Sequence, residues 1–255
     1  MAQKHAALIR KRLASGALTL GFLLLFLTAA VLTSVEDGLA VPVGAGARAG
    51  AKTVYALAYR GVDDAAALDL LRADIAAIKA RGLGFVLPSE LDACGGDAAL
   101  LVLERSYEIE GLLALLKSTD AKAVFTMDGA QGGSKLALLK KAANEGVLEL
   151  AAPIGSFDSP ALLAGELGTA RLDFFTSFGR DVSCFVYSSD EERDALFHTG
   201  ANKSCGSGLS VILYGNGRNE LLPSGAAGGL RLIHRAVRLP DWTIEQFFTE
   251  IAAES

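Results

Sequence analysis

The stretch "LLVLERSYEIEGLLALLKSTDAKAVFTM", residues 100–127, decides how the rest of the chain is read. It opens as a strand that is apolar at every position and ends in the charged pair Glu104-Arg105. A helical pattern, "EIEGLLALLKS", follows, and then a second apolar strand, "AKAVFTM". A strand with no polar alternation is buried on both faces, and two such strands joined by a helix form a unit of a parallel sheet covered by helices.

The same rhythm extends in both directions. Upstream, "TVYALAY" is predicted as a strand. "DAAALDLLRADIAAIKARG" is predicted as a helix, with Leu68, Leu71, Ile75 and Ile78 on one face and a stop at Gly82. "GFVLP" is a short strand. Downstream, "SKLALLKKAANEG", "SPALLAGELGTARLDFFTSFG", "DEERDALFHTG" and "TIEQFFTEIAA" are predicted helices, and "VLELAA", "VSCFVYS", "LSVILYG" and "LRLIHRAVRL" predicted strands. Pro160 suits the first turn of its helix. About seven or eight parallel strands alternating with helices predict a (β/α) barrel, with an open doubly wound sheet as second choice. Either places chemistry at the C-terminal strand ends. Those ends are Arg60, Glu104-Arg105 with Tyr107 beyond, Asp128, the stretch 152–156, Tyr187-Ser188 and the stretch 214–216, which includes Asn216.

The first residues are of another kind. Lys4, Arg10, Lys11 and Arg12 occur with no acid among them, and Leu13–Val35 then carries no charge. Twenty-three helical residues span roughly 34 Å, enough to cross a bilayer core. Bases before and Glu36-Asp37 after predict a cytoplasmic N-terminus (residues 1–12), one transmembrane signal anchor (13–35), a Gly/Ala-rich linker (36–52) and an extracytoplasmic domain (53–255). A cleaved signal peptide is the alternative, although its apolar core is usually about 7–15 residues. Ala17-x-x-x-Gly21 is a small-residue pattern through which the anchor could grip another membrane protein.

The formal charge is −5, and the part after the basic N-terminus is more acidic still. That argues against nucleic acid as a partner. Cys94, Cys184 and Cys205 have no metal-ligand spacing. In an oxidising compartment Cys184 and Cys205 could pair and leave Cys94 free; three buried thiols is the competing reading. His198 and His234 stand away from the strand ends and read as structural histidines. There is no G-x-S-x-G elbow, and "GAQGGSK" lacks phosphate-loop spacing. A glutamate beside an arginine stays ionised and is a poor proton donor, so Glu104-Arg105 reads first as a strand-end ion pair.

The order of segments resembles that of the polysaccharide deacetylases, over about residues 53–253. "ALAYRGVDD" is similar to the family's first strand. "LLVLERSYEIEGLLALLKSTDAKAVFTMDG" is similar to its L-T-F-D-D-G-Y segment and the strand beyond. "NEGVLELAAPIGSFDSPALLAGEL" falls at G-H-E-I-G-S-H-T-x-x-H, "VSCFVYSSDEERDALFHTGA" at the Y-P-x-G segment, and "LRLIHRAVRLPDWTIEQFFTEI" at the closing strand and helix. The resemblance implies metal-assisted amide hydrolysis, with one Asp as base and the next Asp and two His holding a divalent metal. Carried onto this chain, the base falls on Glu104, the metal-binding Asp on Arg105, and the two His on Ala152 and Ser156. Arginine and alanine cannot ligate a cation.

The expectation is therefore a membrane-anchored pseudoenzyme with no metal or other cofactor and no catalytic residue, Glu104, Arg105, Ala152 and Ser156 being remnants. It would bind an envelope glycan or a protein partner through Arg60, Glu104, Arg105, Tyr107, Asp128, Tyr187 and Asn216. The rival is an active deacetylase or hydrolase acting on C–N bonds of an envelope polysaccharide.

Overall fold

The computed structural model describes residues 52–126, 134–155, 160–188, 209–221, 231–239 and 241–253. The predicted anchor Leu13–Val35, residues 36–51 of the linker, Asp128, Ser156, His198 and Cys205 lie outside them, and Lys52, the last linker residue, begins the first strand. Among the described residues no helix is long and apolar enough to cross a membrane.

Seven parallel strands close into a barrel in sequence order. They are β1 (Lys52–Tyr59), β3 (Ala98–Leu103), β4 (Ala123–Thr126), β5 (Leu148–Ile154), β6 (Cys184–Tyr187), β7 (Ser210–Tyr214) and β9 (Arg231–Val237), which returns to β1. Helices α1 (Ala65–Ala80), α2 (Ile109–Ser118), α3 (Ser134–Asn144), α4 (Pro160–Phe178) and α5 (Ile244–Ala253) are the described helices. The barrel prediction holds. Asp64 caps α1 by accepting the Ala67 N–H at 2.8 Å, and Gly82, at φ +78°, closes it.

Strand periodicity sorts the core into two shells. Val54, Ala56, Ala58, Leu100, Val102, Val124, Ala151, Cys184, Val186, Ile212 and Ile233 fill the barrel interior. The alternate positions, such as Leu57, Leu101, Leu103, Phe125, Leu150 and Ala152, pack against Leu71, Ile75, Leu112, Leu116, Leu139 and Leu167 of the helices. Both faces of β3, β4, β5 and β6 are dry, which is why these strands read as unbroken apolar runs.

Two elements differ from the sequence reading. "GFVLP" pairs only over β2 (Gly84–Phe85), and a 3-10 turn, Pro88–Ala93, follows. That turn covers the start of the barrel strands. Leu91 joins the interior, Glu149 of β5 accepts from Ser89 N and Oγ at 2.9 and 2.8 Å, and Arg231 Nη1 of β9 donates to the Pro88 carbonyl at 3.2 Å. Ser183 Oγ supplies a third bond to Glu149 at 2.8 Å, so this buried carboxylate is fully used. Burial, and then the Glu149 charge, push up the pKa of the neighbouring Cys184 thiol. Cys184 is a buried free thiol; Cys205, its candidate partner, lies outside the described residues.

The second is β8 (Arg218–Leu221), absent from the sequence reading, which runs antiparallel to the first half of β1. β9 joins β1 directly only at Leu57–Ala236 and Ala58–Val237. Asn219 of β8 bridges the gap: its amide donates to the His234 carbonyl at 2.8 Å and to the Val54 carbonyl at 3.3 Å, and its Oδ1 accepts the His234 N–H at 2.7 Å. The turn into β8 depends on Gly217, at φ +83°, where a Cβ would meet Ala236 Cβ and the Ala56 carbonyl oxygen at 2.9 Å each. Gly217→Ala is expected to cost about 2 kcal/mol in urea denaturation. A loss under about 0.5 kcal/mol would show that the seam tolerates the methyl group.

Candidate functional site at the barrel mouth

The loops after β1 and β3 are zipped together at the C-terminal rim. Glu104 N donates to the Tyr59 carbonyl at 3.0 Å, Val62 N to the Arg105 carbonyl at 3.0 Å, and Ser106 Oγ to the Val62 carbonyl at 2.5 Å. Asp63 then binds both ends of the second loop. Its Oδ2 accepts from Arg105 Nη2 and Nε at 2.9 and 3.2 Å, and its Oδ1 accepts the Tyr107 N–H at 3.1 Å.

Glu104 and Arg105 are therefore not each other's partner. Strand alternation sends Glu104 inward, in phase with Leu100 and Val102, and Arg105 outward to Asp63. The cation on Glu104 is Arg235 of β9, in phase with Ile233. Its Nε and Nη2 lie 2.8 and 2.7 Å from Glu104 Oε1, and Nη2 also donates to the Tyr187 carbonyl at 3.1 Å. The Arg235 side chain is 1% exposed and that of Glu104 22%. Arg235 Nη1 is buried with no hydrogen-bond partner among the described residues, and so is Thr126 Oγ1. Thr126 follows Phe125, the register partner of Leu103, and so stands beside Glu104. The mouth thus holds a guanidinium–carboxylate pair with spare polar atoms around it.

No protein-family model and no curated protein matches the chain. Solved structures do. A polysaccharide deacetylase from Bacillus cereus superposes with a TM-score of 0.59 at 13% identity, over 79% of this chain and 69% of that one. A putative polysaccharide deacetylase from Bacillus anthracis gives 0.60 at 14% identity with the same coverage. A Streptococcus pyogenes deacetylase in complex with acetate gives 0.58 at 16% identity, over 79% of this chain and 99% of that one. The fold is that of the polysaccharide deacetylases.

The deacetylase-like barrel carries its rim residues in an unexpected distribution. Arg105 is about half exposed and turned to Asp63, so it does not occupy the barrel mouth as the resemblance implied; Arg235 does. Ala152 is buried among the residues that pack against the helices, so the position assigned to a metal-binding histidine points away from the mouth. Tyr187, expected as a ligand contact, is fully buried in that same outer shell and contributes its backbone carbonyl to Arg235 instead. Tyr107 is 60% exposed, with Arg105 Cζ and Lys135 Nζ at 5.5 and 5.7 Å from its ring centroid. Arg60 and Asn216 line a separate cleft beside the mouth.

A divalent metal of the kind the resemblance implies would have to share Glu104 with Arg235. Glu104 already neutralises a buried guanidinium, and a second cation beside Arg235 would be repelled. Among the described residues no three His, Cys, Asp or Glu side chains converge as a ligand set. Sequence reasoning missed Arg235 and the bridging role of Asp63. The signal for Arg235 was present: it shares the inward phase of "RLIHRAV" with Ile233 and lies at the end of the strand nearest the mouth.

Proposed function

We propose that the domain is a non-catalytic relative of the polysaccharide deacetylases, tethered outside the cytoplasmic membrane by Leu13–Val35, which binds an envelope glycan. The observation that carries this reading is the Arg235 guanidinium on Glu104 at the barrel mouth. A general base must be free to meet the attacking water, and Glu104 Oε1 is instead engaged by Arg235 Nε and Nη2 at 2.8 and 2.7 Å. A metal hydroxide needs a divalent ion, for which a single guanidinium is no substitute. The basic-then-apolar N-terminus supports the tether and its orientation. The acidic outer domain supports a partner other than nucleic acid.

The test is made on the full chain in neutral detergent. Zn²⁺ at micromolar concentration is expected to give no binding heat in calorimetry. No acetate is expected from N-acetylated chito-oligosaccharides or peptidoglycan with or without added Zn²⁺. Metal-dependent acetate release that disappears in Glu104→Gln would overturn the reading and make the protein a deacetylase.

A further inference from the structure

A cleft of about 950 Å³ lies beside the barrel mouth, where the first and last parts of the fold meet. It is bounded by the ends of β1, β7 and β9, the start of α1, and α5. Its apolar lining includes Leu70, Val237 and Phe247. Tyr214, Leu239 and Trp242 also line it, 37%, 45% and 37% exposed. These are three of the seven large hydrophobic side chains exposed among the described residues, gathered on one concave surface. Scattered exposed hydrophobics need no explanation; a concave cluster of this size does. The Trp242 N–H donates to the Leu239 carbonyl at 3.1 Å, which fixes the turn that presents the indole.

The polar lining is mixed in sign. Arg60 and Asn216 accompany the carboxylates Asp64 and Glu250. The charge of Arg238, also in the lining, is already neutralised by Asp74 at 2.7 Å. Neither sign dominates, so the cleft selects neither an anion nor a cation. A lipid chain would desolvate Glu250 and the polar atoms of Asp64 and Asn216 that the Ala67 and Arg218 N–H groups do not satisfy. A ring with one apolar face and a hydroxylated edge matches both parts: its C–H face lies on Tyr214 or Trp242, and its hydroxyls meet the rim. The volume is at the upper end of small-ligand sites, roughly 300–1,000 Å³, and exceeds the needs of one sugar ring.

We propose that this cleft, not the barrel mouth, is the binding site for a neutral oligosaccharide, with Tyr214 and Trp242 as stacking platforms. The proposal rests on the glycan-binding reading and gives it a location.

Trp242 is the protein's one tryptophan, so its emission reports this cleft alone. The full chain held in amphipol is titrated with chito-oligosaccharides and with cello-oligosaccharides, as neutral probes with and without acetamido groups. A saturable change in Trp242 emission is expected with at least one of them. Tyr214→Ala, read by emission, and Trp242→Ala, read by calorimetry, are expected to weaken binding about tenfold or more while keeping the wild-type urea midpoint. Trp242→Phe should restore most of the affinity. If sugar binding survives both alanine variants but is lost in Tyr107→Ala, the glycan reading stands and the cleft assignment is overturned. Saturation by decanoate in preference to any sugar overturns the cleft assignment as well. If no oligosaccharide gives heat or an emission change, the glycan reading and the cleft assignment both fail.

Discussion

Asp74→Ala is expected to destabilise the domain by about 3–5 kcal/mol, the largest single effect among the described charged residues. Asp74 of α1 and Arg238, just past β9, have side chains 5% and 3% exposed. Arg238 Nε and Nη2 donate to the two carboxylate oxygens at 2.7 and 3.2 Å, and the Tyr59 hydroxyl donates to Oδ2 at 2.9 Å. Removing the carboxylate leaves a guanidinium at 3% exposure with the Leu239 carbonyl as its remaining acceptor, and leaves the tyrosine hydroxyl without its acceptor. Replacing both charges by apolar groups, Asp74→Leu with Arg238→Met, should recover most of the loss, because the desolvation cost disappears with the attraction. Urea denaturation of the two variants checks both statements. A single-variant loss below about 1 kcal/mol would mean that water enters the pair. The same cluster sets the alkaline limit. Burial, and then the Asp74 charge, hold the Tyr59 hydroxyl well above its ordinary pKa near 10. The folded state keeps this proton after the unfolded state has lost it. Its contribution is therefore complete below about pH 10 and declines as pH rises beyond it. In Tyr59→Phe that decline should be absent.

Glu104→Ala and Arg235→Met should differ sharply, although they break the same ion pair. The first leaves a guanidinium at 1% exposure with the Tyr187 carbonyl as its remaining acceptor, and is expected to cost about 3 kcal/mol. The second leaves a carboxylate that is 22% exposed and can be hydrated, and puts an apolar chain of similar length in the mouth; about 1 kcal/mol is expected. Urea denaturation of the two variants side by side is the measurement. Equal losses would show that solvent reaches Arg235 as readily as Glu104, and would remove the argument that its charge excludes a metal.

The barrel was legible because its strands are buried on both faces, and a double-sided apolar run such as "ALLVL" has few other readings. β8 was not legible. "RNEL" has no apolar alternation, and it is a strand because Gly217 turns it onto β1 and Asn219 bonds in place of a missing ladder partner. Both are tertiary causes. At the mouth, Glu104 was identified as a strand-end acid, but its partner was assigned by chain adjacency. Adjacent residues on a strand face opposite ways, so Glu104-Arg105 was the pair least able to meet inside the barrel. The true partner lies 131 positions away, on the strand that closes the barrel. The same parity turns Ala152 to the helices, one step from the inward-facing Ala151.

The seam between β1 and β9 also bears on how the protein is made. Leu57 and Ala58 have their parallel partners at Ala236 and Val237, and β8 covers the opposite half of β1. During synthesis β1 emerges early and must wait for almost the entire domain before either partner exists. Until then the nascent sheet has an open apolar edge, the kind of surface that pairs with other chains. The last few dozen residues are thus the closing piece of the barrel. A chain released before β9 would be an unclosed sheet with β7 and the second half of β1 each unpaired along one edge, exposed to aggregation and to proteases, and not a shortened form of the same domain.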